Sequence, residues 1–206
     1  HTRAMGDDWA ATRREVESYT ETTLDQLESE WDGATRRPTL ALGPRDHDPD
    51  TPPPSAEACI DHIGGIASVI VFYTDKHRET VLVYNRAGGW EPPGGVVENG
   101  QTLAETARTE AREETGLAVS LTDLLYTRTV EFAFGDGSTV PLPVAQFVGH
   151  RTDGILRIER EGRTHPGCTR ATGLFDIETL PEMRRERDAI VDLLNDPPAW
   201  NPDSDE

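Results

Sequence analysis

Lysine is almost missing from this chain of 206 residues: Lys76 stands alone, and every other basic side chain except histidine is arginine. There is no run of 18 apolar residues, so no membrane-spanning helix is expected. No secretory signal pattern is visible, and the four residues ahead of Met5 read as an expression-tag remnant. The two cysteines, Cys59 and Cys168, are too few for a disulfide-built secreted scaffold, which makes a cytoplasmic location the expectation. Positive charge is scarce throughout: 20 Lys plus Arg stand against 38 Asp plus Glu, a formal net charge of -18. That balance argues against a general electrostatic nucleic-acid binder. It suits a protein working in molar salt, where a Debye length of about 3 Å screens self-repulsion.

The chain divides by pattern into an N-terminal segment (1–60), a body (61–196) and an acidic tail (197–206). Residues 7–31 predict one long helix with Gly33 as its stop, and Trp9, Val16, Leu24, Leu27 and Trp31 form a narrow apolar stripe along it. That stripe is expected to dock on the body, with a second copy of the chain, and hence a homodimer, as the alternative. Residues 35–58 are proline-rich and polar and read as a linker. In the body, β-branched and aromatic runs at 66–73 and 80–86 predict a strand pair, and GGWEPPGG (88–95) a loop. Thr102–Thr115 predicts a helix with a capping-box start and Gly116 as its stop. Segments 124–134 and 138–150 flank Gly135-Asp136-Gly137, a hairpin signal. Residues 155–159 and 171–177 read as short strands. A last helix is expected over 181–195, with Met183, Ile190, Val191 and Leu194 inward. Strands interleaved with helices predict an α/β or α+β sandwich with a mixed sheet.

Glu110, Glu113 and Glu114 fall in the last two turns of the central helix, where the helix dipole disfavours carboxylates. On a wheel of about 100° per residue, Glu110 and Glu114 continue the apolar stripe of Leu103, Ala107 and Ala111. Glu113 falls about 80° from Leu103, while Glu105, Arg108 and Arg112 take the opposite side. Partly buried carboxylates need a partner, and no Lys or Arg shares their face. A hard divalent cation, Mg²⁺ or Mn²⁺, would supply one; a solvated acidic face is the alternative. The loop before the helix, Pro92-Pro93-Gly94-Gly95, permits close backbone approach to a ligand such as a phosphate.

Together the loop and helix resemble the Nudix box, whose pattern places Gly95, Glu110, Ala111, Glu113, Glu114, Gly116 and Leu117 on expected positions, with Glu98 and Gly100 matching upstream. Gly173–Pro181 followed by a helix resembles the usual end of that fold. The resemblance covers about residues 62–195 and departs from the pattern at Gln101, where the family has glutamate, and Thr109, where it has arginine. It implies a Nudix-type α/β/α sandwich with an N-terminal helical extension, from a salt-loving archaeon by composition. It also implies Mg²⁺- or Mn²⁺-dependent cleavage of the pyrophosphate in a nucleoside diphosphate linked to another group. Glu110, Glu113 and Glu114 would serve as catalytic and metal-holding residues, with Gly94, Gly95, Arg86 and Trp90 against a nucleotide-like substrate.

Glu131, Glu159 and Glu161 are further candidates for a base or extra ligand, against the plainer reading of surface residues, and Phe132 and Phe134 for stacking on a nucleobase, equally readable as core. The departures at Gln101 and Thr109 favour an alternative: a Nudix-fold module that binds a nucleotide without turning it over. Separately, Cys59-x-x-His62 and His165-x-x-Cys168 have spacings compatible with a structural zinc site, against the plainer reading of a buried thiol.

Overall fold

The computed structural model describes residues 2–43, 50–74, 78–85, 89–98, 100–157 and 171–197, with 2–8 by backbone alone. The described residues form a mixed α and β fold with an N-terminal helix, the class that the sequence predicts. They cluster into two compact units. The first draws on 1–67, 96–103 and 124–145, the second on 68–95, 104–123 and 146–206.

The first unit is organised around helix α1 (Thr2–Glu30). Its stripe is buried: Val16 and Leu24 are fully covered and Leu27 nearly so, while Trp9 and Trp31 are half-buried. Val16 packs into a core with Cys59, Ile63, Phe132, Phe134, Val140 and Leu142. Covering one such aliphatic side chain contributes about 1.5–3 kcal/mol. Polar contacts fix the helix's rotation: Tyr19 donates to the Gly64 carbonyl at 2.8 Å and Thr20 to the Pro141 carbonyl at 2.9 Å. Arg13 pairs with Glu131 at 3.0 Å. The stripe therefore docks within its own chain.

The stretch read as linker is partly structured. Strand β1 (Thr35–Leu42) runs parallel to the second half of β6 (Leu117–Ala133), with Thr35 opposite Tyr126 and Leu42 opposite Phe132. The register shifts between Arg37 and Leu40, around Pro38, which has no N–H to give to the ladder. Arg36 ties this strand to α1, reaching Glu21 at 3.0 Å, Asp25 at 2.7 Å and Glu28 at 2.8 Å. Helix α2 (Ala56–His62) is capped by Ser55, whose Oγ accepts from the Ala58 N–H at 3.1 Å.

β2 (Ile66–Phe72), which belongs to the second unit from Ser68 onward, and β3 (Thr80–Asn85) form the expected antiparallel pair, Val71 opposite Val81. β3 also pairs with β4 (Gly89–Glu91) and β8 (Ala171–Phe175), so part of the expected loop is strand. β6 and β7 (Thr139–Gly154) contribute segments to both units. The turn joining them closes through Phe134 N–H to the Ser138 carbonyl at 2.8 Å, with Gly137 at φ +85°. Residues 155–157 carry no strand, and 158–159 lie outside the described residues. The last helix, α4, spans only Arg187–Asn195 rather than starting at Pro181. Glu186 at its N-cap sits at φ 63°, a left-handed conformation that a continuing helix excludes. Met183 bridges Gly89 instead of entering the helix. Ile190 is fully buried, whereas Met183, Val191 and Leu194 are half-buried.

Candidate active site

Helix α3 (Leu103–Thr115) carries the three glutamates. Its buried stripe is Leu103, Ala107 and Ala111, and it stops where Gly116 adopts φ +81° while donating to the Arg112 carbonyl at 2.9 Å. The periodicity that buries the alanines carries Glu110 and Glu114 to half-buried positions. Glu113, about 80° round the helix from Leu103, is exposed and does not share that face. Arg108 and Arg112 are exposed as well. Thr109 is half-buried.

Two consecutive glycines meet these carboxylates. Gly94, which opens β5 (Gly94–Val96), donates its N–H to Glu114 Oε2 at 3.0 Å. Gly95 lies so close that a Cβ there would stand 2.5 Å from Glu110 Cδ. Any side chain at this position would displace the Glu110 carboxylate from where it now lies.

A fourth carboxylate, Glu91 at the end of β4, was not singled out by the sequence reading. It is half-buried, and the Asn85 side-chain amide donates to it. Burial, then repulsion from Glu114, pushes its pKa up to about 7, against the opposing pull of Arg185 and Arg184. Cations do therefore act on this group, from outside the helix whose own face lacked them. An acidic residue directly before the double proline was the only cue in the sequence.

Trp90, beside Glu91, is half-buried between aromatic edges: Tyr84 at 5.4 Å and Phe175 at 4.9 Å between ring centroids. Arg86 lies outside the described residues, as do Glu159, Glu161, His165 and Cys168. Glu131 pairs with Arg13 of α1 at 3.0 Å. Phe132 and Phe134 are core residues packed edge to face, which removes them as stacking surfaces. Cys59 is buried, its thiol pKa raised by desolvation, with Sγ 3.7 Å from the Pro53 carbonyl; His62 is exposed.

A NUDIX domain family pattern matches residues 65–193, which include Glu91, Gly94, Gly95 and all three helix glutamates. The chain belongs to the Nudix family. Solved structures similar to this Nudix chain include an ADP-ribose pyrophosphatase from Streptococcus suis, at 16% identity and a TM-score of 0.44, covering 66% of this chain and 94% of that one. A NUDIX family hydrolase from Clostridium perfringens matches at 18% identity and a TM-score of 0.45, over 63% and 95% of the two chains. A Bacillus subtilis pyrophosphohydrolase matches at 25% identity and a TM-score of 0.40, over 57% and 64%. No curated protein matches the sequence.

The carboxylate chemistry of this Nudix site fits a hard cation: oxygen donors gather at one loop, and Glu91 and Glu114 repel each other. Among the described residues no group of three or more His, Cys, Asp or Glu side chains is placed to hold a metal ion. An ion held here would draw further oxygens from substrate phosphates and water, as Mg²⁺ commonly does.

Proposed function

We propose that the protein is a divalent-metal-dependent hydrolase that cleaves the pyrophosphate bond of a nucleoside diphosphate linked to another moiety. The observation that carries this reading is the close seating of Gly94 and Gly95 on Glu114 and Glu110 inside a Nudix domain. Glu110 and Glu114 would hold Mg²⁺ or Mn²⁺, with Glu113 as the third candidate ligand on the same helix. Bound metal supplies charge neutralisation at the diphosphate and a more acidic water. The chain's own residues do the positioning. The Gly94 N–H fixes the Glu114 carboxylate, and the bare backbone at Gly95 leaves Glu110 its place. Trp90 and Arg86 contact the substrate. In the reaction, water oxygen bonds to one phosphorus, the bridging P–O bond breaks, and the proton released by water leaves with solvent. The acidic, lysine-poor composition supports a cytoplasmic setting at high salt, as in a halophilic archaeon.

A second reading, a nucleotide-binding module without turnover, is favoured by the exposure of Glu113 together with Gln101 and Thr109 in place of the family's charged residues. One screen separates the two. ADP-ribose, nucleotide sugars, dinucleoside polyphosphates and nucleoside triphosphates are incubated with the protein in molar KCl with Mg²⁺ or Mn²⁺, and products are resolved by phosphorus NMR. Hydrolysis of at least one compound, absent with EDTA, is expected. Binding without any product from the panel would establish the module.

A further inference from the structure

A cavity of about 240 Å³ opens in the first unit between α1 and the stretch that leads into α3. It contains none of Glu91, Glu110, Glu113 or Glu114. Its apolar wall is Leu27, Val97 and Leu103, each buried and each fixed by a regular element or its flank. The polar wall consists of Gln26, Gln101, Thr23 and Thr102, which bring amides and hydroxyls to the lining. Several of these groups are held in place. Tyr19, also in the lining, is anchored by its 2.8 Å bond to the Gly64 carbonyl and by Thr23, and the Gln26 amide donates to Glu30 at 3.0 Å.

The charge of the lining limits what can enter. None of the described residues lining it is Lys, Arg or His, and Glu30 adds negative charge. A phosphate would find no cation there and one carboxylate to repel it. Amides and hydroxyls both donate and accept, so the lining suits an uncharged ring with donors and acceptors on its edge and an apolar face for Leu27 and Val97. The volume lies below the roughly 300–1,000 Å³ of pockets for drug-sized ligands, which limits the occupant to a small ring system. We propose that this cavity is a binding site for a nucleobase or free nucleoside, separate from the carboxylate site. A ligand there touches α1 and the 97–103 stretch at once, and so strengthens the hold of the N-terminal helix.

The test uses the full chain in EDTA, so that metal-dependent turnover plays no part. Adenosine, guanosine, cytidine and uridine, and their 5′-monophosphates, are titrated by calorimetry and ligand-observed NMR. At least one nucleoside is expected to bind, with its monophosphate weaker by about tenfold or more. Thr23→Trp, which fills the cavity, should weaken that nucleoside at least tenfold. Gln26→Ala, at an exposed position on α1, should weaken it several-fold and serves if Thr23→Trp does not fold. Absence of nucleoside binding at millimolar concentration overturns the proposal, as does binding that Gln26→Ala and a folded Thr23→Trp leave unchanged. Neither outcome bears on hydrolysis, which is read with metal present.

Discussion

At the residue scale, the contact between Gly95 and Glu110 ties the loop to the carboxylate helix. Gly95→Ala places a methyl group where Glu110 Cδ and Oε1 lie, each 2.5 Å away, so loop or carboxylate must move. Because the atoms met are the end of a flexible side chain, stability in thermal melts should fall by less than about 1 kcal/mol, while turnover should fall because Glu110 is displaced. Glu110→Gln and Glu114→Gln should each reduce turnover by at least about a hundredfold at unchanged melting temperature; full activity in both would remove the metal assignment. Glu91 gives a pH signature. Below its unfolded pKa both folded and unfolded states hold the proton, and from there to about pH 7 the folded state alone retains it. Stability in EDTA should therefore drop across that window as pH rises, by at most about 3 kcal/mol from this group. Glu91→Gln should remove that drop, measured as a gain over wild type in denaturant melts at pH 8 that vanishes near pH 4. The three-dimensional role of Glu91 was not legible in the sequence, because its raised pKa depends on Glu114, Arg184 and Arg185, all remote along the chain. The half-burial of Glu110 and Glu114 was legible, since one helix period carries it.

At the scale of elements, what could be read in advance follows the same division between local and distant causes. α3 was expected to begin at Thr102 and begins at Leu103, because a polar start, a buried alanine stripe and Gly116 are all local signals. β1 was missed because Pro38 and its polar neighbours look like linker, and because its partner, the far half of β6, lies about ninety residues downstream. The first turn of α4 was overextended because nothing local foretells the left-handed Glu186. Docking of α1 is strong where it is apolar and weak where it is charged. Leu24→Ala should cost about 2–5 kcal/mol in chemical denaturation. Arg36→Ala breaks three exposed ion pairs, yet should cost about 1 kcal/mol or less in dilute buffer and nothing measurable in 1 M KCl.

For the whole molecule, a net charge of -18 means that folding concentrates like charge that the unfolded chain spreads out. The melting temperature should climb as KCl rises from dilute to molar; a flat or falling curve would remove the case for salt adaptation. Each of the two compact units is stitched from segments distant in sequence, with residues 96–103 and 124–145 joining α1, β1 and α2 in one of them. No single stretch of gene therefore encodes either unit, and no pair of cloning primers can frame one by itself. A protein begun at residue 61 would forfeit the helix that covers Phe132, Val140 and Leu142, and should emerge insoluble instead of as a trimmed enzyme.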